Sequence, residues 1–500
     1  MARGHRKISA ISLLCAAALV SCEKSVQEEQ VRPRARLLAP GNAGSPASSA
    51  GSAGTNGVQA GGGDSELPDG GIVDGGEDPN ASAGGNGNPG SGGSAQGGST
   101  SQAGGTGGIT GFAGSTSNAG SSGEGGSAGS TSPPPEPDFS KPGLLTALAD
   151  CATASYTEFK GLAQAFSEAT ADLVADDRAA NQAAAENAWR AAMASWQRAE
   201  PFRFGPAARS MDPGGQNLRD QIYIFNLVNN CMVDQRIVDQ GYNSISSVGA
   251  SARGLSAAEY LLFYTGSNNA CVPEAAINAN GTWAALSAGE LRARRIEYVR
   301  RVGQDLSTRA TTLVNAWHPD QGNFYEQFTT AGAGSTIFAS NQEAFNAASD
   351  GLFYVEKELK DWKLGIPLGY VSECLSAPNT CPSDVESRYA RVSTDHLRQN
   401  LLGFRRAFQG CGIDFWGLGF KDWLIEIGAG DLADEMQAKL EAAQAAVNAL
   451  SPPLEEAIVT APGNVATVHA SVKALTDLLK TQFVTVLNLE LPMGSEGDND

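Results

Sequence analysis

Three stretches of the chain gather residue types able to do chemistry. In "AWRAAMASWQRAEPFRFGP" (188–206) a tryptophan-bearing segment runs into Glu200 and Arg203, with two phenylalanines and a Gly-Pro stop. In "GLSAAEYLLF" (254–263) Glu259 stands at the mouth of an apolar run. On a helix it shares a face with Leu255, Ser256, Leu262 and Phe263, its neighbours three and four positions away. In "ESRYARVSTDHLRQNLLGF" (386–404) Glu386, Ser387, Arg388, Asp395 and His396 crowd a polar helix start. Carboxylates set beside arginines could line a pocket for a cation or a polar ligand. Each stretch also has a plain structural reading. Glu200 and Arg203 read as a surface ion pair worth under about 1 kcal/mol, and Glu386 and Arg388 as helix-start charges. Ser256-Ala-Ala-Glu259 reads as a capping box. The ligand-pocket candidates are therefore Glu200, Arg203, Ser256, Glu259, Glu386 and Arg388, with Glu259 also the candidate metal contact.

Hydrolytic chemistry finds little support. Beyond the first residues the histidines are His318, His396 and His469, none in a His-Glu-x-x-His helix. No Gly-x-Ser-x-Gly elbow lies in the part of the chain able to fold, and no cysteine pair has the spacing of a zinc site. No catalytic residue is assigned.

The elements that must position these residues read as helices. Leu145, Leu148, Ala152, Tyr156, Phe159, Leu162 and Phe166 recur at three- and four-residue steps, and Trp189, Met193, Trp196 and Glu200 continue that spacing. Val465, Val468, Val472, Leu475 and Leu479 mark a late amphipathic helix. "SPPLEEA" (451–457) offers a serine cap, early prolines and first-turn acids. Convincing alternating strands are absent, so the expected fold is all-α, antiparallel helices joined by loops. Six cysteines, Cys151, Cys231, Cys271, Cys374, Cys381 and Cys411, suggest disulfides in an exported chain. Cys374 and Cys381, flanking the turn-rich "LSAPNT", are the pair expected to join locally.

The beginning of the chain reads as an address. Arg3, Arg6 and Lys7 precede an apolar stretch, Ile8 to Val20, too short for the roughly 20 residues that span a bilayer. It ends in "LVSC", the spacing of a lipobox, with Cys22 the residue to be lipidated. Residues 1–21 are thus expected to be a lipoprotein signal peptide. Removing them takes away three basic residues and no acid, so the formal charge falls by three from −19 to −22. Such a chain repels nucleic acid and anionic membrane, and is compatible with cationic ligands. Residues 22–137 form a Gly/Ser/Ala-rich tether with almost no large apolar residue, unable to build a core. Residues 138–500, about 360 in number, are enough for one large or two medium cores.

Taken together, these stretches resemble the imelysin family. The resemblance rests on the tryptophan-bearing helix running into "FRFGP", on "ARGLSAAEYLLF", on the "ESRYA" helix, on "GLGFKDWLIEIGAGDLADEM" (417–436) and on the tail "LELPMGSEGDND". It implies an all-helical fold of two bundle-like halves in the bacterial cell envelope, in a family linked to iron acquisition and first described as a metallopeptidase. Against the family's Gly-x-His-x-x-Glu motif, Gly254 and Glu259 align and Ser256 takes the place of the histidine. A serine is a feeble ligand for iron or zinc, which leans away from an enzyme and leaves Glu259 either to cap a helix or to line a pocket. The resemblance then implies a lipid-anchored, non-catalytic accessory in iron uptake, binding a ligand, iron or another divalent cation. Its partners would be the membrane, through lipid on Cys22, and iron-uptake or envelope proteins. Glu23 after the cysteine favours the outer membrane. The alternatives are an imelysin-type metallopeptidase and a surface-displayed interaction module.

Overall fold

The computed structural model describes residues 137–225, 228–374, 379–492 and 495. The leader, Cys22 and the tether up to residue 136 lie outside them. Every described residue belongs to the unit Ser121–Asp500. Among the described residues there is helix and no strand, as the three- and four-residue periodicity predicts.

Helix α1 (Lys141–Ala175) opens with Ser140, whose hydroxyl accepts from the Gly143 amide at 3.1 Å, and with Pro142 in the first turn. Its buried face is the expected one, from Leu145 through Tyr156 and Phe159 to Phe166, with Ala163 buried where Leu162 is half-exposed. It packs against α2 (Ala179–Ala199) and, beyond α3 (Gly254–Phe263), against α4 (Ala288–Trp317). A second group holds a π-helix (Val355–Gly365), α5 (Ser393–Gln409), α6 (Gly430–Ala449) and α7 (Pro462–Leu478). The two groups meet where α5 lies on α2, and one apolar core runs through both. The disulfide Cys151–Cys411 ties α1 to the segment after α5, with Cα atoms 5.6 Å apart. Cys231–Cys271 and Cys374–Cys381 close shorter loops, the latter over a small apolar cluster containing Ile366. No helix among the described residues is long and apolar enough to cross a membrane.

Two local expectations fail for a shared reason. Ser451 does not cap a helix: the helix Leu454–Thr460 follows Pro453, and the Leu454 amide donates to Thr394 Oγ1 at 2.9 Å. In return the Glu455 carboxylate accepts from the Ser393 amide at 2.8 Å. The two helix starts cap each other across the fold, which local spacing cannot show. Residues 386–391 likewise form a turn, not a helix start, with Ser387 and Arg391 at positive φ and α5 beginning only at Ser393.

Candidate functional site

The turn that ends α2 carries the first candidate. Pro201 breaks the helix into one 3₁₀ turn, Glu200–Phe202, and leaves the Glu200 carboxylate buried. Its Oε1 accepts from Trp196 Nε1 at 2.8 Å and its Oε2 lies 2.9 Å from Arg219 Nε. Burial raises its pKa, against the pull of Arg219. Helix α5 can approach this turn because residue 403 is glycine. A Cβ there would sit 2.3 Å from the Arg198 carbonyl oxygen. Arg203 does not pair with Glu200, as its spacing suggested. It reaches Glu358 on the π-helix, which Arg219 also faces at 3.6 Å.

Glu386, on the 386–391 turn, is the hub. Its Oε1 accepts from Tyr223, from Gln197 Nε2 at 2.9 Å and from the Lys363 ammonium at 3.1 Å. His396 Nδ1 lies 3.1 Å from Oε2. Lys363, fully buried on the π-helix, also donates to Gln197 Oε1 at 2.6 Å and Asn400 Oδ1 at 2.8 Å. Burial alone would raise the Glu386 pKa, but Lys363 and His396 hold it at about 2. The same burial lowers that of Lys363, offset by Glu386 and Glu200. Single-turn π-bulges within helices are frequent at functional sites; here the π-helix runs from Val355 to Gly365 and carries Glu358 and Lys363 into the centre.

Glu259 and Ser256 approach the same turn from α3. Gly254 opens that helix at φ +77°, and a Cβ there would lie 2.6 Å from the Ile222 carbonyl oxygen, so the motif's glycine is a steric requirement. The capping box does not form. Ser256 Oγ donates to the Ile224 carbonyl at 3.1 Å, and Glu259 Oε1 accepts from the amides of Tyr389 and Ala390 at 3.0 and 3.1 Å. Glu259 thus fixes the turn that carries Glu386. Burial lifts its pKa to about 7, against those two amides. Arg388 is not part of the centre. It is exposed, bonded to the Ser383 carbonyl and the Tyr389 hydroxyl at 2.8 Å each.

The structure thus brings Glu200, Arg203 and Glu386 together, sets Ser256 and Glu259 behind them, and leaves Arg388 outside. Sequence reading missed Lys363, Arg219, Glu358, Gln197, Tyr223 and Asn400. The signal was "VEKELKDWKLG", a helical run charged on every face whose Glu356, Glu358, Lys360, Asp361 and Lys363 are all buried. A cavity of about 400 Å³ opens beside the centre. Arg203, Arg219 and Glu358 reach it from the centre, and Asp212, Asp220 and Asp350 face it from outside. Burial raises Asp350 to about 7, with Arg203 opposing. Both charge signs alternate around this cavity, which suits a polar ligand carrying both.

The residues present do not fit a resident metal ion. Ser256 gives its hydroxyl to a carbonyl, and Glu386 already faces the Lys363 ammonium through Oε1 and His396 Nδ1 through Oε2. Among the described residues no three His, Cys, Asp or Glu side chains are placed to share an ion.

Iron-regulated protein A of Synechococcus elongatus is 23% identical over 314 residues, spanning 62% of this chain and 76% of the relative. A solved structure described as an iron-regulated protein A precursor from Parabacteroides distasonis superposes with TM-score 0.54 at 17% identity. The match covers 72% of this chain and 96% of that one, and is a likeness of fold alone. An imelysin-like protein from Psychrobacter arcticum, 15% identical, gives a TM-score of 0.49 over 71% of this chain and 98% of its own. The family model for Imelysin matches residues 152–482, from within α1 to beyond α7 and with the whole carboxylate centre inside it. The chain belongs to the imelysin family.

Proposed function

We propose that the protein is a lipid-anchored, non-catalytic imelysin of the bacterial cell envelope that recognises a polar ligand as an accessory in iron uptake. The observation that carries this reading is the internal neutralisation of the centre. Lys363 and His396 face Glu386, Arg219 faces Glu200, and Arg203 faces Glu358. A metallopeptidase needs an open metal position and a carboxylate free to act as base. Here the carboxylates are engaged, and a serine stands where the family's histidine would be. The link to iron comes from the name of the Synechococcus relative and from the family resemblance. The anchor comes from the lipobox at Cys22, with envelope or iron-uptake proteins as partners, and the acidic charge speaks against nucleic acid. Glu23 supports the outer membrane. The test is a peptidase assay of the mature chain on casein and a mixed peptide pool, with and without added zinc or iron. No cleavage above a heat-inactivated control is expected. Metal-stimulated cleavage, lost on Glu259→Gln, would establish the metallopeptidase instead.

A further inference from the structure

Most of the charged side chains around the cavity beside the centre are matched within the chain. Arg209 meets Asp212 through two nitrogens, at 3.1 and 3.0 Å. Arg219 lies 2.9 Å from Glu200 and 3.3 Å from Asp220. Lys357 lies 3.2 Å from Asp361, and Glu358 is held by Arg203 and faced by Arg219. Two groups that line the cavity keep unmet capacity, one of each sign.

The first is Arg203, whose Nη1 donates to Glu358. Its Nε and Nη2 have no hydrogen-bond partner among the described residues, and neither is buried. The side chain is 22% exposed. Nε and Nη2 form the side-on edge of a guanidinium, the edge that receives both oxygens of a carboxylate. The second is Asp350, exposed near the end of the helix Asn341–Leu352. Among the described residues its carboxylate accepts no hydrogen bond and joins no ion pair. The next residue, Gly351, lets that helix lie against the turn that carries Arg203. A Cβ there would sit 2.2 Å from the Pro201 carbonyl oxygen. Asp350 is near enough to Arg203 to feel its charge, yet the two are not paired. That leaves room between them for a group carrying both charges. Four basic and four acidic side chains line the cavity, so its field favours neither a simple anion nor a simple cation. Its volume, about 400 Å³, lies at the small end of ligand pockets.

We propose that this cavity binds a free α-amino acid with an apolar side chain. The carboxylate sits on Nε and Nη2 of Arg203, the ammonium on Asp350, and the side chain lies toward the half-buried Trp362. The proposal rests on the reading of the protein as one that recognises a polar ligand, and names the class of that ligand.

Calorimetric titration of the mature chain with L-phenylalanine, 3-phenylpropionate and phenethylamine tests it. L-phenylalanine should bind at a single site. The propionate, without the ammonium, and the amine, without the carboxylate, should each bind at least about tenfold more weakly. Asp350→Asn keeps the shape and breaks no hydrogen bond of the fold, so the circular dichroism spectrum should stay unchanged. It should weaken L-phenylalanine by about tenfold and leave 3-phenylpropionate no weaker. Equal binding of the three compounds, absence of L-phenylalanine binding, or L-phenylalanine affinity untouched in Asp350→Asn would each overturn the proposal. These outcomes bear on the ligand class alone. Metal-stimulated peptide cleavage is what would overturn the function proposed above, and it leaves the binding comparison as it stands.

Discussion

Lys363 and Glu386 offer the sharpest perturbation of the centre. Both side chains are buried, and the ammonium lies 3.1 Å from the carboxylate. Lys363→Met keeps the length of the side chain and removes the charge. Removing one partner of a buried pair costs about 3–5 kcal/mol, because the other charge is left uncompensated. His396, Tyr223 and Gln197 still hold Glu386 in that variant, which places the loss near the lower end, about 3 kcal/mol. Glu386→Gln strands the ammonium among the neutral oxygens of Gln197 and Asn400 and should also destabilise. The double variant strands neither charge, so it should cost less than the two losses added, by about 2 kcal/mol. Urea unfolding of the four mature proteins, followed by circular dichroism, reads these values directly. With the Glu386 pKa held at about 2 rather than its ordinary 4.5, its contribution is present above the ordinary value and lost as pH falls toward 2. The cost of Glu386→Gln should shrink over that window. Losses that add to within about 0.5 kcal/mol would refute the claim that the two groups neutralise each other.

Glu259 should show the opposite pH sign: its folded pKa, about 7 against an ordinary 4.5, means its stabilising share is present below 4.5 and lost as pH rises through 7. Glu259→Gln should therefore gain stability relative to the native chain between those values by urea midpoint, and a pH-independent difference would contradict this. Gly254→Ala should cost at least about 2 kcal/mol, since residue 254 needs φ +77° and a Cβ there meets the Ile222 carbonyl. A thermal melt unchanged by that substitution would remove the steric reason for the motif's glycine. Cys22→Ala should release the protein from the membrane fraction or block its maturation. A variant that stays membrane-bound at mature mass would end the anchor reading.

What the sequence made legible was periodic or local. The face of α1, from Leu145 to Phe166, follows directly from its spacing, and Cys374–Cys381 from the turn residues between them. Glu200, Arg203 and Glu386 stood out because charges beside aromatics are conspicuous. Most of their partners did not, because the contacts that join the stretches are distant in sequence. Gln197 meets Glu386 across 189 positions, and Glu259 meets the Tyr389 amide across 130. A capping box was a fair local reading of Ser-Ala-Ala-Glu. It loses because the Ile224 carbonyl and the 386–391 turn offer Ser256 and Glu259 tertiary partners. Lys363 was hidden for another reason: a lysine in a charged run reads as solvated surface, and only the packing of the π-helix between α5 and α7 buries it.

In the proposed function, Lys363, Arg219 and Arg203 engage the carboxylates that a metal ion would need. Calorimetric titration of the metal-stripped mature protein with ferrous iron and with zinc tests it, beside Ser256→His, which restores the family's histidine next to Glu259. No stoichiometric binding by the native chain is expected, and a measurable gain in the histidine variant. Tight one-to-one binding by the native chain, abolished by Glu259→Gln or Glu386→Gln, would contradict it.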